Sequence, residues 1–481
     1  VALIAADPIA DAKKKAQDKG FKQEIYEEEE RCSHLWIGSL AGDADKPRKL
    51  DIAGHVSDAK WSPTDERIAI KLAATALTDD SYMRTRVVVV DSADGRVLAT
   101  IESAGKLGDF AWSPDGTQIA LSAGGDIHDP DAGRLMLAPA AGGVPQEVLP
   151  GIEGDTAAFA FQAPDALLAV LARGVWTSFE KIPLGGKPTV LIPTGGAILT
   201  SMSLSADGLH AAFVANSPAH ASEVYTMSHG EAAPRRVTDN NPWLASTRLA
   251  PQEVVTFNAR DGLALEGVLV RPLDEKKGQR YPLLMYVHGG PEAHHSNGWL
   301  TNYGDPAQTL AARGFAVFHV NYRGSTGRGM AFAKASQGDP AGKEFDDLID
   351  AIDHLVGTGL VDKDKVAVTG GSYGGYATAW LSTRYSDRIA AGVMFVGISD
   401  KLSKVGTTDI PDEEFYVHAL HRPWDNWQWM LERSPIYYAG QCNTPLLILH
   451  GKDDPRVNPG QSREMYRHLK LRSTAPVRLV L

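Results

Sequence analysis

Ser372 lies at the centre of the run Gly-Gly-Ser-Tyr-Gly at residues 370–374, in which glycines flank a potential nucleophile. The apolar residues 365–368 before this run indicate a buried strand, and residues 377–382 after it indicate a helix. A serine on a sharp strand-to-helix turn presents its hydroxyl clear of the sheet, where it can attack an electrophilic carbon. A side chain at either flanking glycine would collide with the neighbouring strand or helix. The pattern therefore predicts that Ser372 is a catalytic nucleophile.

A nucleophilic serine needs hydrogen-bond donors for the negative charge that develops on the attacked carbonyl oxygen. The backbone N–H of Tyr373, directly after the serine, is one candidate. A second glycine loop, His-Gly-Gly-Pro at 288–291, follows another apolar strand. Glycines in such a loop let backbone N–H groups approach a ligand closely. We therefore expect the N–H groups of Gly290 and Tyr373 to form an oxyanion hole.

The serine also needs a base, and the base needs a carboxylate that fixes its tautomer. In this arrangement the acid follows the strand predicted at 444–450. Asp453 and Asp454 both occupy such a position, and Asp400, at the end of the preceding strand, is a weaker third choice. The residues themselves do not decide between Asp453 and Asp454.

The histidine base should come last in chain order. Only His468 follows Asp454, and it lies in a predicted helix, a setting typical of a solvated side chain. His288 and His450 precede glycine turns, and we expect structural roles for both. We therefore expect the catalytic histidine to lie beyond Leu481.

The second half of the chain contains the elements that must position these residues. Apolar runs alternate with helical patterns, which favours a mostly parallel sheet covered on both faces. Ligands bind such sheets beyond the carboxyl ends of the strands, where the three motifs fall. We predict an α/β-hydrolase catalytic domain over residues 249–481, truncated in or after its last strand.

The first half is rich in short strands and repeats itself. Trp-Ser-Pro-Thr-Asp at 61–65 recurs as Trp-Ser-Pro-Asp-Gly at 112–116, more weakly at 204–208 and in degenerate form at 161–165. A period of about 50 residues fits a four-stranded propeller blade, and disfavours the alternative of a β-sandwich. We predict propeller blades over residues 1–248, incomplete at the N-terminus, with four blades and part of a fifth.

Local charge patterns in the first half predict one further element. Residues 13–15 are a lysine run and residues 27–30 a glutamate run. We expect both runs to lie on a solvated hairpin arm.

Composition limits the classes of partner. The net charge is −11 and no basic run stands out, which argues against nucleic acid. No apolar run reaches the roughly 18 residues that a membrane-spanning helix needs. The two cysteines, Cys32 and Cys442, suggest neither a disulfide framework nor a zinc site. We expect no metal and no cofactor. The sequence does not decide between a cytoplasmic and a periplasmic location, because a signal peptide could precede residue 1.

The motifs together resemble the prolyl oligopeptidase family of serine peptidases. The resemblance rests on the blade repeat, the loops at 288–291 and 321–325, the run at 370–376 and the turn at 450–457. Within the family, the chain looks most like the acylaminoacyl peptidase and dipeptidyl aminopeptidase branch. The resemblance is specific in the second half of the chain and looser in the predicted propeller.

The resemblance implies roles for individual residues. In the family, the acid falls four residues after the histidine of the His-Gly turn, which selects Asp454. The family's histidine follows the acid by roughly thirty residues, a few positions past Leu481. Some acylaminoacyl peptidases hold a substrate carbonyl with an arginine two residues after the acid, the position of Arg456. A surface ion pair is the alternative role for this arginine.

We expect a serine peptidase that hydrolyses short peptides through an acyl-enzyme. The sequence does not decide whether the protein forms a homo-oligomer. One alternative is a non-catalytic binding protein that uses its propeller and has a degenerate hydrolase domain, and another is a carboxylesterase. An aromatic cluster is expected either to line an apolar specificity pocket or to pack in the core. Its members are Phe415, Tyr416, Trp424, Trp427 and Trp429.

Overall fold

The computed structural model describes residues 1–40 and 46–481. The chain separates into two compact units, one formed by Val1–Pro150 with Ala160–Leu167 and the other by Gly151–Phe159 with Leu168–Leu481. The predicted domain boundary at 248/249 stays a prediction. Within the described residues, no helix combines the length and the apolar character needed to cross a lipid bilayer.

Five small sheets of consecutive strands precede residue 237 in the described chain, four of them four-stranded and one three-stranded. They match the predicted four blades and part of a fifth. Their strands are β1 (Ala2–Ala6), β2 (Ser33–Ile37) and β3 (Arg48–Lys49); β4 (His55–Trp61), β5 (Arg67–Ala73), β6 (Arg86–Asp91) and β7 (Val97–Ile101); β8 (Leu107–Trp112), β9 (Gln118–Ala123), β10 (Arg134–Pro139) and β11 (Gln146–Glu147); β12 (Asp155–Ala163), β13 (Ala166–Arg173), β14 (Trp176–Pro183) and β15 (Thr189–Ile192); β16 (Ile198–Leu204), β17 (His210–Ser217), β18 (His220–Ser228) and β19 (Arg235–Arg236).

The repeated Ser-x-Asp-Gly sequence forms the turn between the first two strands of a sheet. In one copy, Ser113 Oγ donates to Asp115 Oδ1 (2.6 Å) and accepts from Gln118 N (2.9 Å). The copy at 205–208 makes the same pair of bonds, and the glycine after each aspartate has a positive φ. The repeat is therefore a turn whose polar side chains bond the backbone, which explains why its residue types recur.

The expected arm is solvated and connects the antiparallel strands β1 and β2, but it is not a β-hairpin. Asp11–Asp18 forms helix α1, which contains the lysine run, and Lys13 pairs with Glu29 across the following loop. Lysine, alanine and glutamine are good helix formers, and this propensity outweighs the hairpin interpretation.

The larger sheet of the second unit has eight strands in the order β20-β21-β23-β22-β24-β25-β26-β27. β21 runs antiparallel to both of its neighbours, and the strands from β23 to β27 are parallel. This is the predicted α/β sheet. Its strands are β20 (Gln252–Asn258), β21 (Ala264–Val270), β22 (Tyr281–Val287), β23 (Ala316–Asn321), β24 (Val361–Gly371), β25 (Ala391–Phe395), β26 (Leu446–Leu449) and β27 (Val477–Val480).

Helices cover both faces of this sheet. The α-helices are α2 (Ala307–Ala311), α3 (Met330–Ala333), α4 (Lys343–Gly357), α5 (Tyr373–Arg384), α6 (Lys401–Val405), α7 (Pro411–Glu413), α8 (Trp427–Glu432) and α9 (Gly460–Arg472). Asp80–Arg84 and Glu414–Ala419 are π-helical, and short 3₁₀ segments lie at Pro242–Ser246, Lys334–Ser336, Ser386–Arg388, Pro423–Asp425 and Pro435–Gln441.

Alternate residues of the central strands enter different cores. Met285 and Phe318 pack in the core that contains residues of α4 and α5, whereas Leu284 and Val317 pack in the core beside α2. Burial on both faces explains why these strands are almost entirely apolar, with His319 and Asn321 of β23 as the polar exceptions.

The core beside α4 yields a stability prediction. Phe345 is fully buried, and its ring lies 5.0 Å from that of Tyr376 and 5.6 Å from that of Tyr373. Phe345→Ala should lower the free energy of unfolding of this unit by about 3–5 kcal/mol, because it leaves a cavity. Urea denaturation measures the loss. Leu471→Ala is the control, since Leu471 is 75% exposed, and an equal loss in both variants would contradict the packing described.

Candidate active site

Ser372 lies between β24 and α5 with φ 57° and ψ −117°. A positive φ is strained for a residue with a side chain and persists only where the surroundings hold it. Here the N–H of Ser372 donates to the Phe395 carbonyl of the neighbouring strand at 3.1 Å. Helix α5 begins at Tyr373, earlier than predicted, so the serine is the residue at which the strand becomes a helix. Its side chain is half-buried.

The flanking glycines are required by close backbone contacts. A Cβ built on Gly370 would lie 2.3 Å from the Val287 carbonyl oxygen, and one on Gly374 would lie 2.0 Å from the same atom. A Cβ on Gly375 would lie 2.5 Å from the Phe395 carbonyl oxygen. The steric reason predicted for glycines at 370 and 374 is confirmed: any side chain there would push β22 and α5 apart.

The loop after β22 lies beside the serine. β22 and β24 are parallel neighbours, with Val287 opposite Gly370. A Cβ built on Gly289 would lie 3.3 Å from Ser372 Cβ and 3.8 Å from the nitrogen of Tyr373. The two segments that carry the expected donors, Gly290 and Tyr373, are therefore brought together. Tyr373 is the first residue of α5, where a helix leaves its N–H groups without an intrahelical acceptor.

The side chain of Tyr373 is fixed by a buried carboxylate. Its hydroxyl donates to Glu344 Oε1 at 3.0 Å, and Glu344 also accepts from the N–H groups of Ala341 and Gly342. Burial raises the pKa of Glu344 to about 8. The residue after the serine is thus anchored to the start of α4.

Asp454 is held in a defined orientation. Its Oδ1 accepts from the N–H groups of Arg456 and Val457, each at 3.0 Å. Asp453 is exposed. Asp400 is a helix cap, since its Oδ1 accepts from Leu402 N at 2.9 Å. Asp454 follows β26 and Ser372 follows β24, so both lie at the carboxyl edge of the sheet, with only β25 between their strands.

The histidines of the two glycine turns are engaged in local hydrogen bonds. His450 Nε2 donates to the Val457 carbonyl, and Nδ1 lies beside Ser462 Oγ, both at 2.6 Å. His288 Nδ1 donates to the Gly289 carbonyl at 2.8 Å, and burial lowers its pKa to about 4. His468 lies on α9, where Nδ1 accepts from Arg472. These bonds fit structural roles for His288 and His450.

Arg456 is engaged with an acid that the sequence did not indicate. Its Nε lies 2.6 Å from Asp409 Oδ1, and the Arg456 carbonyl accepts from Lys404 Nζ and Thr408 Oγ1. The ion pair predicted as its alternative role is therefore present.

The members of the aromatic cluster differ in burial. Trp424 and Trp427 are 62% and 57% exposed, so core packing does not account for them. Phe415 packs edge-on against Tyr416, and the Arg422 guanidinium lies over the Phe415 ring.

Sequence reasoning missed a buried set of charged side chains next to this site. They are Glu292, Lys401, Lys404, Glu414 and His418. The single clue in the sequence is that Glu292 directly follows the glycine loop at 288–291. In the part of the chain that the structure describes, no three His, Cys, Asp or Glu side chains are grouped as metal ligands.

Comparison of the structure with solved proteins identifies similar folds. A Pyrococcus horikoshii acylaminoacyl peptidase is 21% identical with a TM-score of 0.77, and the match covers 94% of this chain and 70% of that one. A puromycin hydrolase is 22% identical with a TM-score of 0.73, over the same shares of the two chains. These similarities confirm the predicted fold class, β-propeller blades followed by an α/β-hydrolase domain.

Sequence comparison identifies curated relatives. Dipeptidyl aminopeptidase BIII of Pseudoxanthomonas mexicana is 39% identical over 251 residues, which are 50% of this chain and 36% of that protein. The human acylamino-acid-releasing enzyme is 35% identical over 228 residues, 46% of this chain and 30% of that protein. The chain thus spans less than half the length of these relatives. Residues 302–481, which include most of the α/β sheet, match the model of the prolyl oligopeptidase family.

Proposed function

We propose that this chain carries the catalytic centre of a serine peptidase that hydrolyses short peptides through an acyl-enzyme. The observation that carries the proposal is the backbone of Ser372, held at φ 57° with Gly289 packed against its Cβ. A strained serine beside a glycine loop is one arrangement that places a nucleophilic hydroxyl next to backbone donors for an oxyanion. The names of the relatives, an aminopeptidase and an acylamino-acid-releasing enzyme, support peptides as the substrate class.

The proposed reaction has two halves. Ser372 Oγ attacks the scissile carbonyl carbon while a histidine, expected after residue 481, takes its proton. The N–H groups of Gly290 and Tyr373 stabilise the oxyanion of the tetrahedral intermediate. Collapse breaks the C–N bond, and the amine leaves with the proton from the histidine. Water then attacks the acyl-enzyme by the same route and releases the acid and the free serine.

Asp454 orients the histidine in this proposal. Its Oδ1 is occupied by two backbone N–H groups, which fixes the plane of the carboxylate and directs Oδ2 to other partners. Oδ2 lies 3.5 Å from His450 Nε2, which donates instead to the Val457 carbonyl. The carboxylate can therefore accept from a further imidazole.

Arg456 is proposed as a substrate-binding residue. Asp409 holds its guanidinium through Nε and Nη2. A planar guanidinium has five N–H donors, so pairing with Asp409 does not by itself exclude a bond to a substrate carbonyl.

Removal of the nucleophile tests the function. Ser372→Ala in the full-length protein should lower kcat on dipeptide amides by about 10⁴- to 10⁶-fold, because no other group can form the acyl-enzyme. Comparison of kcat on an acetylated dipeptide amide, a free-amine dipeptide amide and a matching ester distinguishes an acylaminoacyl peptidase, a dipeptidyl peptidase and a carboxylesterase. Ser382→Ala, on the same helix with a buried hydroxyl, is the control and should keep full turnover. Retained activity in Ser372→Ala would overturn the proposal.

The adjacent aspartates provide a matched test of the acid. Asp454→Asn keeps an oxygen that can accept from the N–H groups of Arg456 and Val457, so the loop should keep its shape. Loss of the negative charge should nevertheless lower kcat by about 10³- to 10⁴-fold, because the histidine loses its orientation. Asp453→Asn should change kcat less than about threefold, since that side chain is exposed. The reverse pattern would show that the acid is assigned to the wrong residue.

A further inference from the structure

We propose that His418 is a positioning residue, which ties the loop carrying Gly290 to the elbow helix and to the loop carrying Asp454 through buried ion pairs. The inference rests on the proposed function. It assigns a role to a residue that contacts none of the reacting atoms.

His418 lies between two carboxylates. Its side chain is 5% exposed, with Nε2 3.0 Å from Glu292 Oε1 and Nδ1 3.5 Å from Glu414 Oε1. An imidazole with acids on both nitrogens is favoured in its doubly protonated form. Burial opposes protonation, but Glu292 and Glu414 outweigh it and raise the pKa of His418 to about 10. The two carboxylates therefore favour the imidazolium form of His418 at neutral pH.

Glu292 connects this cation to the expected oxyanion loop. It lies two residues after Gly290, and a Cβ built on Gly290 would lie 2.2 Å from the nitrogen of Glu292. The backbone between the two residues is therefore tightly folded. A movement of Glu292 would be transmitted to the N–H of Gly290.

The ring of His418 also contacts the elbow. Its centroid lies 6.1 Å from that of Tyr373, whose backbone N–H is the second expected donor. The hydroxyl of the Tyr373 ring is held by Glu344. His418 thus lies against both segments that would form the oxyanion hole.

Glu414 extends the network to the acid loop. Its carboxylate lies 2.6 Å from Lys401 Nζ and 3.3 Å from Lys404 Nζ, and all three side chains are at most 2% exposed. Lys404 Nζ then donates to the carbonyl of Arg456 at 2.9 Å. Arg456 is the residue whose N–H donates to Asp454. Alternating charges therefore run from Glu292 through His418 and Glu414 to Lys404. The backbone connects the first of them to Gly290, and backbone groups of Arg456 connect the last of them to Asp454.

The energetics favour a positioning role over one in stability alone. Each buried charge loses its hydration, and a buried ion pair rarely exceeds apolar packing in net stability. What such a network fixes is geometry, because its charges must stay at contact distance. An error of about 1 Å at a catalytic group can cost about 10²-fold in rate.

The test compares His418→Gln, Glu292→Gln and the double variant in the full-length protein. Each single variant should lower kcat about 10- to 100-fold, with KM changed less than about threefold. The double variant should be no slower than the slower single variant, because both remove the same interaction. Glu292→Asp keeps the carboxylate and should be faster than Glu292→Gln.

Glu223→Gln is the matched control. Glu223 is a buried carboxylate of the same unit, paired with Arg236 at 3.3 Å and remote in sequence from the three loops. The Glu223→Gln variant should have a lower Tm than the wild type and the same kcat. If His418→Gln does not fold, the nearly isosteric Glu292→Gln provides the measurement.

Unchanged kcat in both single variants, additive losses in the double variant, or an equal loss in Glu223→Gln would overturn the inference. An inactive wild-type protein would overturn the proposed function and this inference with it. An active wild type whose variants keep their kcat would overturn this inference alone.

Discussion

The positive φ of Ser372 is the constraint on which the site depends. A serine in this conformation is strained, and the strain is maintained by the N–H of Ser372 bonding to Phe395 and by backbone packing around the turn. That packing admits no side chain at 370 or 374, because the Val287 carbonyl occupies the space where a Cβ would lie. The close approach also determines where the loop after β22 can run. The elbow and the glycine loop are therefore one structural feature rather than two motifs.

Parallel strands bring the remaining groups to the same edge. The segments that follow β22, β24 and β26 carry Gly290, Ser372 and Asp454. Hydrogen bonds of the sheet fix where each strand ends but leave the loops beyond them to be held by side chains. Polar groups do this here, since Glu344 anchors Tyr373. The ion pairs of His418 and Glu414, with the hydrogen bond from Lys404 to the Arg456 carbonyl, connect the loop after β22 to the loop after β26. Such groups are expensive to bury and costly to leave unpaired, so each loop is held in one position.

The features predicted from sequence are those encoded locally. The elbow at 370–374 and the turns at 112–116 and 204–208 carry their structural reason within a few residues, because glycine, proline and aspartate determine the backbone there. Alternating strands and helices gave the α/β sheet in the same way. The charged network could not be predicted, since Glu292, Lys401 and His418 lie far apart in sequence and are ordinary surface residue types. The Asp409 partner of Arg456 escaped prediction for the same reason. The helix at Asp11–Asp18 differs from the expected arm because helix propensity outweighs the charge pattern there.

Covalent labelling tests most directly the claim that Ser372 is an activated nucleophile. The full-length protein would be treated with diisopropyl fluorophosphate, and the site of phosphorylation would be located by peptide mass spectrometry. Transfer of the phosphoryl group to a serine requires both an activated hydroxyl and donors for the developing oxyanion, the two properties assigned to this site. We expect a single adduct per chain, on the peptide that contains Ser372. An unmodified protein, or an adduct on another serine, would contradict the account.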